Sequence, residues 1–132
     1  MHKDYLVIGM GQFGQAVCQR LLERGQAVMG VDLDAKLVQD AADWMTQVVQ
    51  LDVTDREALE EIEAGSFDTA VVAIGTNFEA SILATILLKE LGVSTVIAKA
   101  LSEMHERVLL KVGADEVIFP ERSAGYNLGD RI

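Results

Sequence analysis

At 132 residues the chain is long enough for one domain with a sizeable core, and half of its residues are hydrophobic, as in a sheet buried on both faces. Its formal net charge of -10 disfavours nucleic acid and anionic membrane surfaces as partners, because both would repel it. No apolar run reaches the roughly 18 residues of a membrane span, and Met1-His2-Lys3-Asp4 leads directly into strand-type sequence, so neither membrane insertion nor a signal peptide is expected.

The first predicted strand, Tyr5-Leu6-Val7-Ile8, runs into Gly9-Met10-Gly11-Gln12-Phe13-Gly14, a G-x-G-x-x-G turn. A helix follows, with Ala16, Val17, Leu21 and Leu22 on its apolar side and Gly25 at its end. Each glycine has a physical task. Gly9 lets the backbone turn out of the strand, Gly11 lets a pyrophosphate approach the main chain, and Gly14 lets the helix pack close to the sheet. The helix N-terminus offers free N–H groups and a positive dipole end to phosphates. Cys18, the single cysteine, excludes an intrachain disulfide and reads as a small buried thiol rather than a nucleophile. The second strand, Ala27 to Val31, delivers Asp32, 23 residues after Gly9. An acid there can accept hydrogen bonds from a ribose diol.

Asp34 is the expected N-cap of a short helix with Leu37, Val38, Ala41 and Ala42 on one side. A third strand, Thr46 to Leu51, ends in Asp52-Val53-Thr54, and Thr54 or Asp55 caps the next helix, whose apolar side is Leu59 and Ile62 and whose end is Gly65. The fourth strand, Thr69 to Ile74, is an unbroken apolar run suited to the centre of a parallel sheet. Gly75-Thr76-Asn77 turns into a long helix from about Asn77 to Leu91, with a stripe of Ile82, Leu83, Ile86 and Leu87. A fifth strand (95–98), a helix opened by Ser102 and Glu103 with Val108, Leu109 and Val112 inward, and a sixth strand (116–119) follow. His105, beside Glu103 and Glu106, is expected at the surface, without a metal-binding role. Pro120 terminates the sixth strand, and a helix start near Arg122 is expected to continue in a longer parent or to pack on a second copy.

Six strands joined by helical crossovers give an α/β fold: a Rossmann-like, doubly wound six-stranded parallel sheet of order 3-2-1-4-5-6 with helices on both faces. The ligand crevice then lies at the carboxyl ends of strands one and four, where the glycine turn, Asp32, Asp52 and Gly75 meet. Residues 1–132 form one domain, with no internal linker or repeat.

Val7-Ile8-Gly9-Met10-Gly11-Gln12-Phe13-Gly14, Val31-Asp32, Val72-Ala73-Ile74-Gly75, Leu87-Leu88-Lys89-Glu90, Ala98-Lys99-Ala100 and Gly113-Ala114-Asp115 through Phe119-Pro120-Glu121-Arg122 resemble the N-terminal domain of the Ktr/Trk potassium-uptake regulatory subunits, the RCK (regulator of potassium conductance) proteins. The glycine motif is shared with many dehydrogenases; its combination with Ala98-Lys99-Ala100 and Pro120-Glu121-Arg122 is more specific. The resemblance implies a cytoplasmic, non-catalytic nucleotide sensor, held at the inner face of the plasma membrane by its transporter partner. It implies a homodimer assembling toward an octameric ring beneath a potassium channel or transporter, with ATP against ADP, or NADH against NAD, changing the ring's shape. It further implies that residues from about 122 to 132 begin a helix that crosses to the dimer partner, and that the family's usual C-terminal ligand-binding domain is absent here.

Carried over residue by residue, the resemblance gives Gly9, Gly11 and Gly14 the phosphate turn and puts Phe13 near the phosphates, its alternative being a helix-anchoring core aromatic. Asp32 takes the ribose, with a plain helix cap as the alternative, and the neighbouring Leu33 is counted among the cofactor-binding residues; a carboxylate at Asp32 repels a 2'-phosphate and disfavours NADP. Asp52 and Val53 match the adenine end, with capping as the alternative for Asp52. Ala73, Ile74 and Gly75 line the crevice through their backbone. Lys99 faces the phosphates or lies on the surface. Glu121 is a solvated acid or one that reaches the neighbouring subunit's nucleotide, in some members through a divalent cation such as Mg2+ or Ca2+. Gln12 departs from the arginine of many ATP/ADP-responsive members, and a neutral side chain weakens discrimination for a γ-phosphate. ATP or ADP is the first expectation, NAD or NADH the second. Two other functional classes stay open: the cofactor half of an NAD-dependent oxidoreductase, and an assembly domain with an empty pocket.

Overall fold

The computed structural model describes residues 4–132; the reading of Met1, His2 and Lys3 lies outside them. The elements in chain order are β1 (Asp4–Ile8), α1 (Gln12–Glu23), β2 (Ala27–Asp32), α2 (Ala35–Ala41), β3 (Val48–Gln50), α3 (Arg56–Glu61), a 3-10 turn (Ala64–Ser66), β4 (Thr69–Val72), α4 (Phe78–Leu91), β5 (Thr95–Lys99), α5 (Glu103–Lys111), β6 (Glu116–Ile118) and α6 (Pro120–Arg131). The six strands form one sheet in the order β3-β2-β1-β4-β5-β6, every pair parallel, as the alternation of strand and helix patterns predicts.

Alternation along β1 builds two cores. Leu6 and Ile8 point to the face covered by α3, α4 and α5, where Leu59, Leu88 and Leu109 join them; Val7 points to the face of α1 and α2, among Cys18, Val28 and Met45. Burial without a charged partner pushes the Cys18 thiol up to about 12, so it is an inert core thiol.

Several boundaries and faces differ from the sequence reading. β3 is three residues long because only Gly30–Asp32 of β2 pair with it at the sheet edge. On α1 the residues that pack closest are Gly14 and Cys18, while Ala16 is exposed. On α4 the inward face is Ser81, Ala84, Thr85, Leu87 and Leu88, and Leu83 is left 40% exposed. Two hydroxyls face inward without cost because they are satisfied within the helix: Ser81 Oγ donates to Phe78 C=O at 2.9 Å and Thr85 Oγ1 to Ser81 C=O at 2.8 Å. α6 begins at Pro120, two residues before the expected start, since proline at the first helical position forfeits no hydrogen bond. It runs about three turns and buries no residue.

Candidate functional site

The sheet order reverses between β1 and β4, and a cleft of about 830 Å³ opens at their carboxyl ends. Backbone crowding shapes its floor. Gly9 has φ +102° and donates its N–H to Val31 C=O at 2.9 Å; a Cβ there would sit 2.8 Å from Ala73 C=O. A Cβ on Gly14 would lie 1.7 Å from Gly9 C=O, so α1 can meet the sheet only through glycine. Gly11 is the opposite case: nothing lies within 4 Å of a Cβ built there, which leaves the open side of the turn to a ligand.

The turn is also held by side chains. Asp32 Oδ2 accepts the Met10 N–H at 2.7 Å and Oδ1 accepts the Asp34 N–H at 2.8 Å. Gln15 Nε2 donates to Met10 C=O at 2.7 Å. The cap of α2 is Asp34, through the Lys36 N–H, which frees Asp32 from the capping alternative. Each Asp32 oxygen keeps a second lone pair. Asp52 does not cap α3, since Asp55 does; its Oδ1 accepts the Thr54 hydroxyl at 2.6 Å and the Thr54 N–H at 2.9 Å, and these bonds hold its carboxyl below the usual range.

Across the cleft, Asn77 caps α4 by accepting the Ala80 N–H at 2.9 Å. Lys99 turns into the cleft, its Nζ 5.4 Å from the Phe13 ring centroid, and is the one cation among the described residues that line it. Glu121, in the first turn of α6, closes one side; the adjacent Arg122 turns away, stacked 4.8 Å over Phe119 and paired to Glu106 at 3.0 Å.

Of the sequence-predicted residues, Gly9, Gly11, Gln12, Phe13, Asp32, Leu33, Asp52, Val53, Ala73, Ile74, Gly75, Lys99 and Glu121 line this one cleft. Gly14 lies beneath it, buried. Among the described residues no three His, Cys, Asp or Glu side chains gather to hold an ion, at Glu121 or elsewhere. Thr54, Asn77 and Leu101 also line the cleft and were not singled out as site residues; the legible signal was Asn77 standing three residues before Ala80 at a helix start.

His105 corrects the expectation of a surface histidine. It is 1% exposed, under the Phe78 ring at a centroid distance of 4.5 Å. The Leu101 amide can only donate, and it reaches His105 Nδ1 at 3.1 Å, so the ring proton is on Nε2, which donates to Ser81 Oγ at 2.7 Å. Burial lowers the pKa of this imidazole. The polar neighbours Glu103 and Glu106 misled the reading because the inward positions of α5 are His105 and Leu109.

A glycine turn at a helix N-terminus, an acid closing β2 and a cleft at the switch point define a Rossmann-like domain. The chain belongs to the TrkA-N domain family, whose model matches residues 5–120. It is 42% identical over its whole length to the Ktr system potassium uptake protein C of Bacillus subtilis (strain 168), and 39% identical over 98% of its length to the Ktr system potassium uptake protein A of Vibrio alginolyticus. It spans 60% and 59% of those two relatives. The fold is shared with the TrkA-N domain of the inner membrane protein ybaL from Escherichia coli, at a TM-score of 0.90 and 14% identity over 100% of this chain and 98% of that one. It is shared too with GsuK channel structures bound to NAD and to ADP, at TM-scores of 0.79 and 0.77 and 15% identity; both cover 89% of this chain, and 21% and 31% of those chains.

Proposed function

We propose that the chain is the nucleotide-sensing domain of a potassium-uptake regulatory subunit, and that it binds ATP or ADP, with NAD or NADH second, without turning them over. The observation that carries this is the convergence on one cleft of the open glycine turn, the doubly anchored Asp32 carboxylate and Lys99. In this reading the glycine turn and the N-terminus of α1 take the phosphates, Lys99 adds the single positive charge, Asp32 accepts the ribose hydroxyls, and the adenine lies toward Asp52 and Val53. The relatives' names support a place in potassium uptake, and the NAD and ADP of the GsuK neighbours support a nucleotide in this cleft.

The described lining residues include no histidine, serine or cysteine to serve as base or nucleophile. The close Ser81–His105 pair is sealed from solvent at 1% exposure each. Gln12, at the N-terminus of α1, is neutral and exposed, which favours weak discrimination between ATP and ADP.

Assembly is part of the same proposal. Leu83 on α4, Met104 and Leu110 on α5, and Tyr126 and Leu128 on α6 are apolar or aromatic and between 40% and 70% exposed. With the unburied α6 they fit a second copy of the chain, residues 122–132 crossing to the partner in a homodimer that builds toward a ring under a membrane potassium transporter on its cytoplasmic side. Residues 1–132 are then the N-terminal domain of a two-domain subunit. Among the described residues no helix is long and apolar enough to cross a membrane. To test the regulatory reading, the chain is incubated with ATP, ADP, NAD and NADH and the nucleotides are recovered chromatographically after binding is measured. Binding with intact nucleotide supports it; hydrolysis or a change of redox state would replace it with an enzyme.

A further inference from the structure

The turn from β5 to α5 follows directly on Lys99 and contributes Ala100 and Leu101 to the cleft. Two hydrogen bonds fix it. Ala100 donates its N–H to Ile118 C=O at 2.8 Å, and Leu101 donates its N–H to His105 Nδ1 at 3.1 Å. From the other edge of the same imidazole, Nε2 donates to Ser81 Oγ at 2.7 Å, and that hydroxyl passes on to Phe78 C=O at 2.9 Å. Phe78 and Ser81 belong to the first turn of α4, whose Asn77 and Ala80 form the neighbouring rim of the cleft. One buried ring thus ties the Lys99 rim to the α4 rim, with both nitrogens used and nothing left to solvent.

We propose that His105 is a positioning residue of the cleft: through the Leu101 amide it sets the turn that directly follows Lys99, and through Ser81 it fixes that turn against the start of α4. This deepens the nucleotide reading above and rests on it. A core-filling leucine would fit the ring's space as well as most side chains, yet leave the Leu101 N–H without its acceptor and the Ser81 oxygen without the Nε2 donor, while the Ser81 hydroxyl keeps Phe78 C=O. An asparagine is smaller but presents its Oδ1 from the same carbon as Nδ1, so the Leu101 N–H keeps an acceptor.

The two substitutions separate positioning from packing. Nucleotide affinity by calorimetry and amide exchange of Lys99, Ala100 and Leu101 by NMR are measured for the native chain, His105→Leu and His105→Asn. Positioning requires His105→Leu to weaken ADP binding roughly tenfold, as for one lost hydrogen bond, and to speed exchange at Leu101, while His105→Asn keeps protection at Leu101 and binds more tightly than His105→Leu. The reverse order, with His105→Leu binding and exchanging like the native chain, overturns the proposal. The nitrogen-15 spectrum of the native ring must show the proton on Nε2, and a proton on Nδ1 overturns it too. Failure of the native chain to bind any nucleotide removes the nucleotide reading, whereas unchanged binding across the variants removes the role of His105 and leaves the nucleotide reading standing.

Discussion

The two ends of the sheet use polar groups in opposite ways. At the amino ends of the strands the groups close on one another: Lys89 Nζ donates to Val93 C=O, Ser94 C=O and Asp115 Oδ2 at 3.3, 3.1 and 2.9 Å, and Asp115 also accepts the Val96 N–H at 2.8 Å. The Val96 amide first, and Lys89 after it, hold the Asp115 carboxyl below its usual range. At the carboxyl ends the anchoring is one-sided. Asp32 is fixed by two backbone N–H donors and Asp52 by the Thr54 N–H and hydroxyl, yet both face a cleft, and among the described residues Lys99 meets the Phe13 ring without a hydrogen-bond partner. A closed network contributes to the fold; an oriented but incomplete one is what a ligand completes.

Substitutions should separate the two ends, and the largest effect belongs to the backbone beneath the cleft. Gly14→Ala forces a Cβ against the Gly9 carbonyl and should cost about 3 kcal/mol or more in urea denaturation. Asp32→Ala should lower nucleotide affinity at least roughly tenfold, and Asp115→Ala should leave affinity unchanged while costing about 1 kcal/mol of stability, modest because the pair is partly solvated. A loss of binding in Asp115→Ala would erase the contrast.

Acid sharpens it further. The His105 ring is neutral in the fold and its pKa is lowered by burial, so the unfolded chain takes up the proton first as pH falls. Its share of stability is complete above a pH of about 6.5 and is lost below it. Glu103 and Glu106 on α5 lie near, and Glu106 is engaged by Arg122. The Asp115 share persists until pH falls below about 3.9, since that pKa is also lowered but belongs to a carboxyl. Thermal melts from pH 8 to pH 3 (roughly the span of both groups) should therefore show an upper step absent in His105→Asn and a lower one reduced in Asp115→Ala, the remainder belonging to Asp52, whose carboxyl is lowered as well. The smallest effect is expected at the exposed Arg56–Glu90 pair, 2.9 Å apart with both side chains about half exposed: Glu90→Gln should change stability by no more than about 0.5 kcal/mol.

The strand order and most of the cleft were legible because they follow from local chemistry. A glycine turn between a strand and a helix, an acid ending the next strand and an apolar central strand each carry their meaning within a few residues. What could not be read depended on contacts far apart in sequence. The burial of His105 follows from Ser81, 24 residues away, and from the Phe78 ring. The inward face of α4 was misplaced because small polar residues that satisfy themselves inside the helix do not look like core. Gln15, holding the Met10 carbonyl, has no signature apart from the turn it serves.

Calorimetric titration of the native chain and of Asp32→Ala with ATP, ADP, NAD, NADH and NADPH, with and without magnesium, bears most directly on the cleft. If the open end of the sheet is a nucleotide site, the native chain binds an adenine nucleotide or NAD(H) in the micromolar range, rejects NADPH, and loses binding with Asp32→Ala. No heat from any nucleotide, or equal binding by Asp32→Ala, would contradict it.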